Sequence, residues 1–321
     1  MIDFTEKIWI LDGAMASMIH QFNIDNHSQF SPNTSYSNLQ TCPDYLCVTN
    51  PDLIEQIHLE YLNSGADIIT SNSFNANPIT LSKYGIDISY HDICCHALNI
   101  AKSAIKKHSL LSASSKKYIA GCIGPIIKEP KISEQEIANA YTLQSEALIE
   151  NGADMILLET ICSLHQAIIA SNAIIKVMNR LNRQLPLMLS FSLSAEGTTY
   201  DDNKSIQEII AVTKNLQISS IGINCGCDII ESLNHITQFS NYSDLPISFH
   251  PSAGLPDNTG NYNISPQQLN ESIQPLLENQ QVNIIGGCCG TTPKHIQILA
   301  QTASFFNSRK SINSHINRKL N

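Results

Sequence analysis

Ile284-Ile285-Gly286-Gly287-Cys288-Cys289-Gly290-Thr291-Thr292-Pro293 is the stretch from which the rest of the chain can be read. A short apolar run stops at two glycines, two adjacent cysteines follow, and Thr-Thr-Pro opens a helix. That is a strand, a loop carrying chemistry and a helix start: one βα unit. Vicinal cysteines seldom bridge each other, because neighbours rarely reach disulfide geometry. The pair therefore reads either as metal ligands or as plain buried thiols.

The same unit recurs along the chain. Apolar runs at 8–11, 66–74, 118–123, 153–158, 186–193, 220–224, 246–250 and 282–286 predict eight strands. Helix-period segments follow them: from Asn50-Pro51 to Gly65, then 89–107, and from the Ser133/Glu136 capping box to Asn151. Further helices are expected at 163–180, 203–215 and 228–239, from Ser265-Pro266 onward, and from Thr292-Pro293 to about Phe306. A polar connection covers about residues 20–49. The strands are continuously apolar, as strands buried on both faces should be. SGADIITSNSF (64–74) and NGADMILLETI (151–161) echo each other, with a glycine stop before each strand. Eight such units predict a single-domain (β/α)8 TIM barrel over residues 1–306 rather than an open doubly wound sheet. The basic, polar segment 307–321 is expected to be a loose tail.

Composition narrows the partners. A net charge of −9 argues against nucleic acid and anionic membranes. No apolar stretch nears the ~20 residues needed to span a bilayer. MIDFTEKIWIL lacks the basic and long apolar regions of a secretory signal. Ten cysteines, two pairs of them adjacent (Cys94-Cys95 and Cys288-Cys289), do not read as a disulfide framework. A cytoplasmic protein with reduced thiols is expected.

Barrel enzymes place their chemistry where strands end. Here those ends carry Asp12, Ser73, Glu159, Cys225 with Cys227, His250, and Cys288-Cys289. Strands six and eight flank strand seven, so Cys225, Cys288 and Cys289 can converge on one ion. Zinc suits three thiolates and keeps a fourth position open. The competing reading is that cysteine is a common buried small hydrophobe. Cys225-Gly226-Cys227 is C-x-C, and both side chains cannot face the mouth. Glu159 suits a substrate ammonium or an ion pair with a lysine; Asp12 suits the same site or a plain Asp-Gly turn. His250 reads as a fourth ligand, a base or a packed loop residue. Cys122 and Cys162 read as core packing, and Cys94-Cys95 sit inside a helix.

At this point a resemblance is visible. LDGAM (11–15), NPDLI (50–54), GADIITSNSF (65–74), GCIGP (121–125), GADMILLET (152–160), GINCG (222–226), HPSAGLP (250–256) and GGCCGTTP (286–293) resemble the homocysteine S-methyltransferase family, from Leu11 to about Ala303. The resemblance implies a zinc barrel with Cys225, Cys288 and Cys289 as ligands. It also implies that Asp12, Gly13 and Glu159 bind the amino-acid end of homocysteine, with Ser73 in the same pocket. HPSAGLPDNTGNY (250–262), GGCCGTTP and Phe74-Asn75 resemble the homocysteine barrel of cobalamin-dependent methionine synthase. LDGAMAS is closer to standalone enzymes using S-methylmethionine or S-adenosylmethionine. One barrel fills the chain, so the first branch implies methylcobalamin on a corrinoid partner protein. A non-catalytic zinc protein and a vicinal-thiol redox protein remain the alternatives from other classes.

Overall fold

Eight parallel strands run in the order β1-β8-β7-β6-β5-β4-β3-β2. In this computed structural model, residues 2–25, 42–112, 115–127, 132–257 and 261–310 are described. β1 (Trp9–Ile10) pairs with β8 (Ile284–Ile285), with Trp9 opposite Ile284. The ring closes on its other side, where Leu11 bridges Ile68 of β2 (Ile68–Thr70) in parallel. Asp67 N–H donates to Ile10 O at 2.7 Å and Asp12 N–H to Ile68 O at 3.0 Å across that seam. The sheet is thus a (β/α)8 barrel, as the eightfold repeat predicts.

β3 (Tyr118–Ile123), β4 (Met155–Ile161), β5 (Leu187–Phe191), β6 (Ser220–Asn224) and β7 (Ile247–His250) complete it. Period-two alternation divides each strand between two cores. One face packs under the helices: Ile119, Ile156, Leu158, Leu189, Ile221, Ile223 and Phe249 belong to that outer core. The other fills the barrel with Trp9, Leu11, Ile68, Ala120, Met155, Leu157, Met188 and Ile284. This double burial is why the strands read as unbroken apolar runs. Two residues beyond Ala120, Leu157 and Met188, the same inner face presents Cys122, Glu159 and Ser190. The lumen therefore changes from apolar to polar toward the strand C-termini.

The main helices fall where spacing and caps place them. The Ser133 capping box with Glu136 opens a helix at Glu134–Glu150; Ser163 caps Leu164–Arg180 and Asp228 caps Ile229–Tyr242. Ser265 caps Pro266–Glu278, and Pro293–Ala303 follows Thr292. Several boundaries differ from expectation. β2 stops at Thr70, and of the residues just beyond it Ser71, Asn72 and Phe74 become pocket wall. β8 is two residues long, and beyond it Gly286 N–H still donates to Phe249 O and Gly287 N–H to Asp12 O. A helix at Met15–Asp25 starts before the polar connection expected from residue 20; Ala14 precedes it, so no capping side chain announced it. Pro43–Tyr45 forms a 3-10 turn and Leu46–Thr49 one helical turn, also inside that connection, whose residues 26–41 lie outside those described. Another short helix, Pro78–Lys83, is capped by Asn77. Asn50 precedes the helix Pro51–Asn63 but makes no side-chain cap bond.

The head of the expected tail is docked. Arg309 is 4% exposed, and its guanidinium donates to the Ser240 hydroxyl and to the carbonyls of Ser240, Ser243 and Leu245. These are carbonyls left at and beyond the C-terminal end of Ile229–Tyr242, where a cation is favoured. Residues 311–321 lie outside those described. Among the described residues, no helix is long and apolar enough to cross a membrane.

Candidate metal centre and substrate pocket

Three loops bring the thiols together. Cys225 N–H donates to His250 O, Cys288 N–H to Pro251 O at 2.8 Å, and Ala253 N–H to Cys289 O at 2.8 Å. The β6, β7 and β8 ends are thereby laced into one rim. On it, Cys225 Sγ lies 3.7 Å from Cys289 Sγ, and Cys288 Sγ lies 4.0 Å from Cys289 Sγ. All three sulfurs fall within 4.8 Å of one another.

Tetrahedral zinc with Zn–S near 2.3 Å requires sulfur–sulfur distances of about 3.8 Å, so these spacings suit that ion. Electrostatics point the same way. The Cys288 and Cys289 thiols donate toward Cys225, which holds Cys225 well below the usual thiol range. Cys288 and Cys289 are pushed up in turn, because each gives its proton to a hydrogen bond with Cys225, with burial and the charge of the first thiolate adding to the rise. The bare cluster carries one negative charge readily, and full ionisation needs a cation. The Ser252 hydroxyl also donates to Cys225 Sγ at 3.4 Å, and the Tyr262 hydroxyl bonds Cys289. Cys227 faces away, toward Ser232 and His235, as a C-x-C spacing predicts.

The thiols form one wall of a cavity of about 330 Å³. Asp12, Gly13, Thr70, Ser71, Asn72, Cys122, Glu159 and Thr160 line the remainder, with Asp44 and Asn75 at one side. Asp12 is 2% exposed; its Oδ2 accepts Thr70 N–H at 2.8 Å and its Oδ1 accepts the Thr70 hydroxyl at 3.1 Å. Burial pushes the Asp12 carboxyl well above the usual range, with the Glu159 charge adding to the rise. Glu159 is pushed up to about 7 by burial, although the Cys122 thiol donates to its Oε1 at 2.8 Å and opposes the rise. Among the described residues neither carboxylate has an ion-pair partner. A buried acid and a half-buried one without a cation are what a ligand ammonium would complete.

Gly13 lines the cavity between two tight contacts. A Cβ there would meet Thr291 Oγ1 at 2.8 Å and the Tyr61 ring and hydroxyl at 2.9 Å. Tyr61, fully buried, donates to Ala14 O at 3.1 Å or Thr291 O at 3.2 Å, and Thr291 Oγ1 accepts Ala14 N–H. The loops after β1 and β8 are pinned together through this tyrosine.

The expected residues do not all meet. Asp12, Gly13, Glu159, Cys225, Cys288 and Cys289 share the cavity. Ser73 does not line it: its hydroxyl donates to Cys122 O at 2.8 Å and lies 2.7 Å from Ser71 Oγ. Ser71 and Asn72 occupy the wall instead, because the chain turns once β2 ends. His250 lies outside the sulfur cluster, fully buried, with its pKa lowered to about 3 by burial. It is a packed residue rather than a ligand. Cys122 is not core packing, since it faces the pocket and bonds Glu159. Cys162 is half-buried and donates to Thr160 O at 3.4 Å. Asp44 was unforeseen; its carboxylate accepts Asn75 N–H at 2.8 Å and Asn75 Nδ2–H at 3.2 Å, and burial raises its pKa.

A parallel (β/α)8 barrel with a three-thiol cradle and two uncompensated acids at its C-terminal mouth has the layout of a barrel enzyme with room for a metal ion and a ligand that carries an ammonium group. Comparison with known proteins makes the class specific. The homocysteine S-methyltransferase family profile matches residues 9–303, and the chain belongs to that family. Among curated relatives, methionine synthase of Mycobacterium leprae is 28% identical over 303 residues and that of Mycobacterium tuberculosis 29% over 302. Each alignment covers 92% of this chain and 24% of the relative, so the chain spans about a quarter of their length. Among solved structures, the metallated form of the Escherichia coli homocysteine methyltransferase MmuM superposes with a TM-score of 0.72 at 21% identity. That match covers 92% of this chain and 96% of the other. A methyltransferase from Methanosarcina mazei gives a TM-score of 0.56 at 12% identity, covering 93% and 94%. These two likenesses support the fold.

Proposed function

We propose that the chain is a zinc-dependent homocysteine S-methyltransferase that forms methionine. The observation that carries this is the shared cavity: three thiols at metal spacing on one wall, and two acids lacking a cation, Asp12 buried and Glu159 half-buried, on another. Cys225, Cys288 and Cys289 would hold the ion, and Asp12 and Glu159 the substrate ammonium. Zinc, when bound, supplies the Lewis acidity that keeps an acceptor thiol deprotonated at neutral pH; a free thiol would be only about 3% ionised at pH 7.

The chain's own groups do the remainder. Asp12 and Glu159 ionise as the ammonium arrives, which anchors the substrate by its amino group and leaves its sulfur toward the cysteines. Three cysteinates keep that end of the pocket electron-rich. The acceptor sulfur then attacks the donor methyl carbon, forming the S–CH3 bond as the donor–CH3 bond breaks and its electron pair leaves with the donor. Methionine, a thioether, is a poor match for the thiolate site and departs.

We take the donor to be a methylcorrinoid protein or module. The HPSAGLPDNTGNY stretch and the alignment with two methionine synthases support this. The second reading, S-methylmethionine or S-adenosylmethionine, is favoured by LDGAMAS. Zinc-loaded protein is assayed for methionine with homocysteine and each donor in turn. Turnover with the sulfonium alone, without cobalamin, overturns the corrinoid assignment. No methionine with any donor overturns the function.

A further inference from the structure

Asn224 ends β6 immediately before Cys225 and is 1% exposed. Its carboxamide is fully engaged. Oδ1 accepts Thr160 N–H at 2.9 Å and the Ser190 hydroxyl at 2.7 Å. Nδ2 donates to Thr160 Oγ1 at 2.8 Å and reaches Cys288 Sγ at 3.6 Å. One side chain thus grips Thr160 by both backbone and hydroxyl while also touching a sulfur of the cluster.

Thr160 needs such a grip. Its φ is 58°, left-handed backbone that a β-branched residue seldom adopts. The β4–β5 register shifts between Leu158 and Ile161, so Glu159-Thr160 is an irregularity in the ladder. The bulge follows directly on Glu159, which keeps the inner-face parity of Leu157, so the backbone that carries this carboxylate depends on how Thr160 is held. Held strain of this sort persists where surrounding contacts over-determine it.

We propose that Asn224 is a positioning residue that couples the two ends of the pocket. Its carboxamide keeps the Glu159-Thr160 bulge in the form that presents Glu159 to the cavity. Its second N–H orients Cys288 and stabilises negative charge on that sulfur. Displacing either contact disturbs the other, so metal affinity and amino-acid affinity are linked through one residue. The inference rests on the zinc and ammonium sites proposed above.

The test compares wild type, Asn224→Ala, Thr160→Gly and the double variant. Zinc affinity is read by competition with a chelator. Homocysteine affinity is read from the absorption of the cobalt(II)-substituted protein at saturating metal, without turnover. Asn224→Ala should weaken zinc binding about 10-fold, the scale of losing a group that orients a metal ligand. It should weaken homocysteine binding comparably. Glycine takes left-handed backbone freely. In the Thr160→Gly background the Asn224→Ala effect on homocysteine should therefore shrink to within about 2-fold, the scatter of independent sites, while the zinc loss persists. A merely structural asparagine would lower the melting temperature without that selective rescue. Homocysteine affinity unchanged in Asn224→Ala at saturating metal overturns the coupling. Should that variant fail to fold, Asn224→Asp retains both acceptor contacts and removes the N–H to Cys288; unaltered zinc affinity there overturns the contact to Cys288. Wild-type protein that takes up neither zinc nor cobalt overturns the functional reading beneath it.

Discussion

Replacing Glu159 by glutamine should stabilise the substrate-free protein at pH 8 and weaken its grip on homocysteine. Burial raises this carboxyl from an ordinary 4.5 to about 7 in the folded chain. Its folded value therefore lies above its unfolded one, so its contribution to stability is fully present below about pH 4.5 and is lost as pH rises through about 7. The separation corresponds to about 3 kcal/mol at high pH, an upper figure because the pocket side of the residue is open to solvent. Glutamine keeps an acceptor for the Cys122 thiol and removes the ionisation. For a domain of this size that difference is roughly 5 °C in melting temperature. Calorimetry of zinc-loaded wild type and Glu159→Gln at pH 8 and pH 5 should show the variant melting higher at pH 8, with the gap much reduced at pH 5. Saturating homocysteine at pH 8 should reverse the order, because only the wild type gains an ion pair with the ammonium. The same logic predicts that wild-type affinity for homocysteine falls as pH drops below about 7. A variant that is destabilised equally at both pH values would refute the reasoning, since Glu159 would then be holding the fold rather than waiting for a ligand.

Other consequences can be tested in parallel. Cys288→Ser should lose zinc and methyl transfer together, as metal analysis and turnover on one preparation would show; full activity in metal-free protein contradicts the assignment. Cys122→Val removes the thiol donor to Glu159 and should weaken homocysteine binding by at least about 10-fold, the scale of one hydrogen bond to a charged group, with zinc content unchanged. An unchanged binding constant would mean that this contact does not orient the carboxylate. Tyr61→Phe deletes the hydroxyl that pins the loops after β1 and β8, and should cost about 1–2 kcal/mol in denaturant unfolding; an effect near zero would show that the backbone bonds alone hold them.

Much of this arrangement is legible in the residues. Capping side chains and proline at the first helical position fix most helix starts, and doubly apolar runs fix the strands, because both signals are local. Glu159 and Cys225 stand out because a polar group follows each apolar run. The harder cases share one cause. The family resemblance places Ser73 in the pocket by its position in the motif alone, yet pairing stops at Thr70 and the wall falls to Ser71 and Asn72. Cys122 has the inner-face parity of Ala120 and reads as packing, since nothing local reveals that Glu159 lies on the same inner face one step beyond its ladder partner Leu157. Asp44 sits in a polar connection without periodicity, and only tertiary contact with Asn75 turns it inward. The helix at Met15–Asp25 begins behind Ala14, so it carries no start signal. Pairwise contacts across the barrel are not written in any single segment.

The central claim is that Cys225, Cys288 and Cys289 hold zinc with a position to spare for the substrate's sulfur. Zinc-edge X-ray absorption of the metal-loaded chain, recorded before and after adding homocysteine, tests it most directly. The account predicts three sulfur neighbours at about 2.3 Å rising to four. A sulfur count that stays unchanged on adding homocysteine would contradict it.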